Sequence, residues 1–362
     1  KPSNGQLLSA RPLLEWYITI ISIQFLISNQ EKKNFLSMLN TSFKSSLKFS
    51  NTFNKRMISL VAPASVASFY QKHPDSIIPV DSSWYMPNVP VNGYHEFMKS
   101  RINNAVFFDI EKVKDLTSKY PHMLPTKEDF ESSVRELGIK NDSNLLFYDQ
   151  QGIFSLCRAV WMFEIFGHDV SKLYILNTYP SYTKSHSDPN LVMKVHGSDT
   201  LVNNTLVTSP TPYSPSEYTA TFDPSKVVSY EQLLELVEKD KIGSEYTLID
   251  ARSAPRFSGE APEPRPGLSS GHIKNAINIP FTDLLTPEKS FLSTMSLKNI
   301  FKNKISDDSK PVIVMCGTGV TACVVRCAMQ LAGYDSSKIA VYDGSWTEWG
   351  LRAPSSLIVK DL

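Results

Sequence analysis

Cysteine is scarce in this chain. Its 362 residues contain four, Cys157, Cys316, Cys323 and Cys327, and three of them fall within twelve residues. So few thiols, so unevenly placed, exclude a disulfide framework and point to buried or reactive thiols in a reducing compartment. Net charge is nearly absent too. A formal +1 leaves no electrostatic footprint for direct binding to nucleic acid or to anionic lipid. The seven histidines are scattered, none in a zinc spacing with cysteine, so no metal and no organic cofactor is implied. The apolar run Tyr17 to Ile27 is interrupted by Gln24 and is short for a bilayer span, which argues against a membrane partner. Acidic residues are missing altogether from Lys33 to Pro74, and Met38 to Arg56 is rich in Ser, Asn, Lys and Phe. That composition is expected of a mitochondrial transit peptide or of a disordered leader over residues 1–57, with Met57 as an alternative start and a mitochondrial and/or cytoplasmic protein as the result.

What is present is an ordinary globular balance, 41% hydrophobic and 20% charged, over a length that suits two domains. An internal repeat divides it. Ile77 to Val80 runs into Asp81 as Tyr246 to Ile249 runs into Asp250, and Asn144 to Asp149 matches Pro311 to Cys316. The spacing from the first acid to the second strand end is 68 residues in one copy and 66 in the other. Helical stripes are expected over Thr126–Leu137, Ser229–Lys239 and Val320–Leu331, and strands over Pro311–Met315 and Ile339–Tyr342. Short apolar strands alternating with helices predict an α/β fold, two tandem domains each with a parallel sheet flanked by helices. The expected boundaries are 58–179 for the first domain and 224–362 for the second. The Ser/Thr/Pro/Asn-rich stretch 180–223 is expected to link them.

In such a unit chemistry sits where a strand turns into a helix. Cys316-Gly-Thr-Gly-Val-Thr321 occupies that place. Gly317 and Gly319 permit tight, positive-φ turns, and the amides of the loop and of the next helix form an anion cradle. A thiol there is expected to ionise more readily, and an anionic persulfide would be held by the same groups. A cysteine phosphatase shares this logic but needs an arginine six residues after the cysteine, where this chain has Ala322.

The motifs Cys316-Gly-Thr-Gly-Val-Thr, Tyr342-Asp-Gly-Ser-Trp-Thr-Glu-Trp349, Gly271-His-Ile, Pro262-Glu-Pro-Arg265, Asp81-Ser-Ser-Trp-Tyr85, Phe107-Phe-Asp-Ile-Glu111 and Tyr120-Pro-His-Met123 occur together. On them the chain resembles the rhodanese superfamily, most closely its 3-mercaptopyruvate sulfurtransferase branch, over about residues 58 to 355. The resemblance implies an inactive first domain, with Asp149 at the cysteine position, and a catalytic second domain. It implies sulfur transfer from 3-mercaptopyruvate through a Cys316 persulfide, with thiosulfate as a secondary donor. The rivals are a thiosulfate sulfurtransferase feeding tRNA thiolation and a non-enzymatic rhodanese-like module. Arg256 and Arg265 match residues that hold the donor carboxylate. Thr318 matches a hydroxyl aimed at the reacting sulfur, while Gly317, Gly319, Val320 and Thr321 complete the loop. His122 and Glu111 match first-domain residues that reach the cleft, Glu111 standing where the family commonly has Asp. Implied partners are a small sulfur donor, thioredoxin or another thiol acceptor, and sulfur-relay proteins of tRNA thiolation.

Overall fold

The computed structural model describes residues 58–73, 77–186, 188, 191–194, 201–202, 205–206 and 213–361. The expected leader 1–57 lies outside the described residues, as does much of the expected linker. Among the described residues, no helix is long and apolar enough to cross a membrane.

The first half runs β1 (Ser59–Val61), α1 (Val66–Lys72), β2 (Ile77–Asp81), α2 (Gly93–Lys99), β3 (Ser100–Ile102), β4 (Val106–Phe107), α3 (Lys127–Glu136), β5 (Asn144–Tyr148), α4 (Leu156–Ile165), β6 (Leu173–Leu176) and α5 (Tyr179–Ser185). Three short strands follow, β7 (Val192–Lys194), β8 (Leu201–Val202) and β9 (Thr205–Leu206). The second half runs β10 (Val227–Val228), α6 (Tyr230–Glu238), β11 (Thr247–Asp250), α7 (Ala254–Ser258), β12 (Ile277–Asn278), α8 (Thr294–Lys304), β13 (Val312–Met315), α9 (Ala322–Leu331), β14 (Ile339–Tyr342) and α10 (Ser345–Arg352).

Each half builds one five-stranded sheet, in the orders β1-β6-β5-β2-β4 and β10-β14-β13-β11-β12, and every pairing within them is parallel. The two orders correspond strand for strand, so the sequence repeat is a repeat of topology. The strands are buried on both faces, hence their continuous apolar runs. The caps are written in the sequence. Thr126 accepts from the amide of Asp129, and Ser229 and Gln232 form a reciprocal capping box.

Two expectations change. Residues 180–185, placed in the expected linker, continue a helix that starts at the last residue of the expected first domain, α5, and its polar surface hid the helical period. Farther on, residues 213–223 lie on the first domain. Tyr218 is buried beside Phe130 and Phe163, its carbonyl accepts from Arg135 Nε at 2.8 Å, and the Ala220 amide donates to Glu131 at 2.8 Å.

The halves meet along α4 and α9, the helices that follow β5 and β13. Both are buried nearly all round, and both carry charges that face each other. Glu164 accepts from Arg326 Nη1 and Nη2 at 2.7 and 2.8 Å, from Gln330 Nε2 at 3.3 Å, and from Lys226 at 2.7 Å. Burial pushes the Glu164 carboxyl up, but Arg326 and Lys226 overcome it and hold it down to about 2. A buried pair costs much when one partner is lost. Glu164→Gln is therefore expected to lower unfolding free energy by about 3–5 kcal/mol. In chemical denaturation the double variant Glu164→Leu/Arg326→Met should regain most of that loss.

Candidate active site

Strand β13 ends at Met315, and Cys316 begins the loop that feeds α9. Its amide donates to Ser345 Oγ at 3.1 Å, and its carbonyl accepts from the Trp346 amide at 2.9 Å. The Gly317 carbonyl accepts from the amide and hydroxyl of Thr347, at 3.0 and 2.7 Å. The start of α10 thus takes the loop's carbonyls. Its amides are left over: among the described residues none of the backbone N–H groups of residues 317–322 finds a protein acceptor. Six orphan donors in sequence, at a helix start, form an anion site. The Thr318 hydroxyl, on a buried residue, also has no partner among the described residues.

The first half shows the same loop with an anion in place. Asp149 stands at the cysteine position, and its carboxylate accepts from the amides of Gln151 and Ser155, at 2.9 and 2.8 Å, and from Ser155 Oγ at 2.6 Å. The amides of Gln150, Gly152 and Ile153 are also bonded. Burial pushes the Asp149 carboxyl up to about 6, with these bonds pulling the other way.

The two loop glycines differ. Gly319 has φ +77°, and a Cβ there would lie 2.8 Å from the Asp343 carbonyl and 2.9 Å from Arg158. Gly317 does not have positive φ, contrary to expectation. It keeps room for Arg256, since a Cβ would come 3.2 Å from Arg256 Nη2 and press that side chain aside.

Arg256, on α7, and Arg265, in the loop that follows it, are not equivalent. Glu263 accepts from Arg256 Nε and Nη2, at 3.1 and 2.5 Å, and from Arg252 at 2.7 Å. Arg252 in turn grips Asp250 and lies over Trp346. Arg265 has no carboxylate partner among the described residues. It is half-buried, and burial, then the nearby Arg256, lowers its pKa, while Glu111 and Cys316 pull it up. An unpaired guanidinium within electrostatic reach of the cysteine is a ready receptor for a carboxylate.

His122 and Glu111 arrive from the first half. His122 sits at φ +61° in a turn, with Nε2 2.9 Å from Glu111 Oε1. The same oxygen accepts from Trp84 Nε1 at 2.8 Å, and Lys114 binds the other oxygen. The bond from His122 is the first cause holding the Glu111 carboxyl down to about 2, with Lys114 adding to it. Burial pushes the His122 pKa down, against the pull of Glu111. A neutral imidazole that donates Nε2–H to Glu111 leaves Nδ1 a buried acceptor without a partner. The repeat accounts for this turn. Lys289 occupies the matching place in the second half at φ +59°, and its carbonyl caps the first-half loop at the Ile153 amide.

The tie between the turn and the cysteine loop is Arg158, which the sequence reading missed. This buried guanidinium on α4 donates to the His122 carbonyl and to the Gly319 carbonyl, and lies 2.7 Å from Asp343 Oδ1 as an ion pair. Asp343 Oδ2 accepts from the Leu124 amide at 2.8 Å. The available signal was a charge, Arg158 as much as Glu164, in a helix whose other residues are apolar, since a charge in such a place is seldom left unpaired.

A buried cysteine among unpaired amides, an unpaired arginine within electrostatic reach of it and a histidine–carboxylate pair from the other half are parts that suit a group-transfer enzyme of the two-domain, parallel α/β kind. Comparison with known proteins makes this particular. The Rhodanese-like domain description matches residues 229–352. Thiosulfate sulfurtransferase TUM1 of Saccharomyces cerevisiae is 36% identical over 294 residues, covering 79% of this chain and 92% of that protein. A 3-mercaptopyruvate sulfurtransferase of Mus musculus is 37% identical over 292 residues, covering 78% and 88%. The yeast mitochondrial complex I sub-stoichiometric sulfur transferase subunit superposes with a TM-score of 0.73 at 39% identity, covering 84% of this chain and all of that one. The chain belongs to the rhodanese family of sulfurtransferases.

Proposed function

We propose that sulfur passes through a persulfide on Cys316, with 3-mercaptopyruvate as the preferred donor. The Cys316 thiolate attacks the donor sulfur, the carbon–sulfur bond breaks, and pyruvate departs as its enolate. A proton then joins the enolate carbon, with the Thr318 hydroxyl and His122 Nδ1 as the groups offered to relay it. In the second half-reaction an acceptor thiolate takes the outer sulfur and Cys316 leaves as the thiolate. The loop amides of Gly317, Thr318, Gly319, Val320 and Thr321 hold the anionic sulfur in both steps. Arg265 binds the donor carboxylate, and Arg256, fixed by Glu263, supports it. Thioredoxin, small thiols, cyanide and sulfur-relay proteins are the candidate acceptors. Similarity to a subunit of a mitochondrial assembly and to a relative named as mitochondrial supports a mitochondrial location.

The observation that carries this reading is the run of unpaired amides around Cys316 beside unpaired Arg265. It also supports the donor choice. Thiosulfate is a dianion with a charged leaving group and gains from cations next to the sulfur, where this loop has Gly317 and Thr318. Mercaptopyruvate has a single carboxylate remote from its sulfur, which Arg265 can meet. With one acceptor held fixed, kcat/KM for mercaptopyruvate is expected to exceed that for thiosulfate by about two orders of magnitude, a few kcal/mol of lost charge pairing. Gly317→Arg/Thr318→Lys should narrow the gap from both sides, since a side chain at 317 also displaces Arg256. Preference of the unaltered protein for thiosulfate would overturn the donor choice and favour the activity named for the yeast relative.

A further inference from the structure

Beside the cysteine loop a cleft of about 400 Å³ opens between the two halves. Three cations line it, Lys114, Lys119 and Arg265, and no carboxylate does. Lys114 is bound to Glu111. Lys119 lies over the Tyr120 ring and has no carboxylate partner among the described residues. The apolar wall is Leu268 and Leu351, the latter 54% exposed. Two residues join this cleft to the chemistry. Arg265 lies within electrostatic reach of Cys316, and Thr347 holds the Gly317 carbonyl.

We propose that this cleft is the acceptor site and that it takes small thiols carrying one or more carboxylates. The inference rests on the Cys316 persulfide reading and gives it an acceptor class. Arg265 and Arg256 suffice for the one carboxylate of a keto-acid donor, so Lys119 and the outer cleft are free for a second molecule. The volume is in the range that holds a small organic ligand. A cleft lined by one sign of charge concentrates the opposite sign, which favours an anionic thiol over a neutral or cationic one. In the step itself the acceptor thiol loses its proton to solvent. The thiolate then bonds the outer sulfur of the persulfide, the bond from that sulfur to Cys316 breaks, and the Cys316 thiolate remains.

The test begins with the purified full chain loaded by a sulfur donor, its gain of one sulfur read by intact mass. The loaded protein is then discharged with mercaptosuccinate, 2-mercaptoethanol or cysteamine in single-turnover experiments, with rates expressed per thiolate. Mercaptosuccinate should be fastest and cysteamine slowest, the spread shrinking in high salt. Lys119→Glu, a change at an exposed side chain, should slow mercaptosuccinate about tenfold and leave mercaptoethanol within about twofold. Normal loading with no charge preference, or equal slowing of all three thiols, overturns the cleft proposal alone. Failure to load sulfur overturns the Cys316 reading and the cleft proposal with it.

Discussion

Cys316→Ser loses sulfur transfer entirely, by roughly four orders of magnitude or more, the scale on which removal of a covalent nucleophile acts. Cys323→Ser and Cys327→Ser are expected to retain turnover within a few-fold. All four thiols are buried, but their settings differ. Cys323 lies on α9 behind the loop and donates to the Gly319 carbonyl at 3.2 Å, and burial pushes its pKa up. Burial does the same to Cys157 in the domain interface. Such thiols stay protonated, and a protonated thiol is a poor nucleophile. Only Cys316 has the orphan amides of residues 317–322 about it. Steady-state assays of each variant, with intact mass after donor treatment, decide the matter. Full turnover by Cys316→Ser would end the covalent mechanism.

Arg158→Met is expected to reduce kcat/KM about a hundredfold and stability by about 3–5 kcal/mol, since it strands a buried carboxylate and two carbonyls. Arg158 binds the His122 carbonyl on one side and the Gly319 carbonyl on the other, so it sets where the imidazole stands relative to the sulfur. It is a positioning residue, and the comparison that shows it is Glu164→Gln. That change breaks a buried interdomain pair of similar worth on the same helix, but none of the groups bonded to Glu164 belongs to the cysteine loop. Both variants should lose stability, and only Arg158→Met should slow persulfide formation in stopped-flow loading. Equal slowing by the two would reduce Arg158 to a structural role. Partial rescue by Arg158→Lys would support positioning, because one ammonium can meet one carbonyl but cannot span both.

The strands, the caps and the repeat could be read in the sequence because each has a local cause. Thr126 and Ser229 announce helix starts, and β13 is an uninterrupted apolar run ending at the cysteine. The loop was legible for the same reason, a glycine-rich turn between a strand and a helix. What was not legible is tertiary. Arg256 and Arg265 look alike in sequence, and only the fold shows Glu263 engaging the first and leaving the second free. Gly317 and Gly319 look alike as well, yet only Gly319 has a positive φ, while Gly317 lies under the Arg256 guanidinium. α5 escaped because a surface helix of seven residues with Pro180 in its first turn carries too little apolar period to show. The charges Arg158, Glu164 and Arg326 were visible as letters, but their partners lie in the other half of the chain.

The filled loop at Asp149 has a consequence for stoichiometry. Descent from a repeat could have left two equal carriers, and a protein loaded at two places would release sulfur in mixed states. Here the Asp149 carboxylate takes the amides of Gln151 and Ser155, Ser83 takes that of Gln150, and the turn at Lys289 takes that of Ile153. An incoming anion would have to compete with a carboxylate tethered to the loop itself and already bonded there. With Cys316 as the proposed carrier, loading is therefore expected to end at one labile sulfur atom per chain, a ratio that intact mass after saturating donor would read. Each molecule is either charged or empty, and the charged fraction alone measures how much sulfur the population holds.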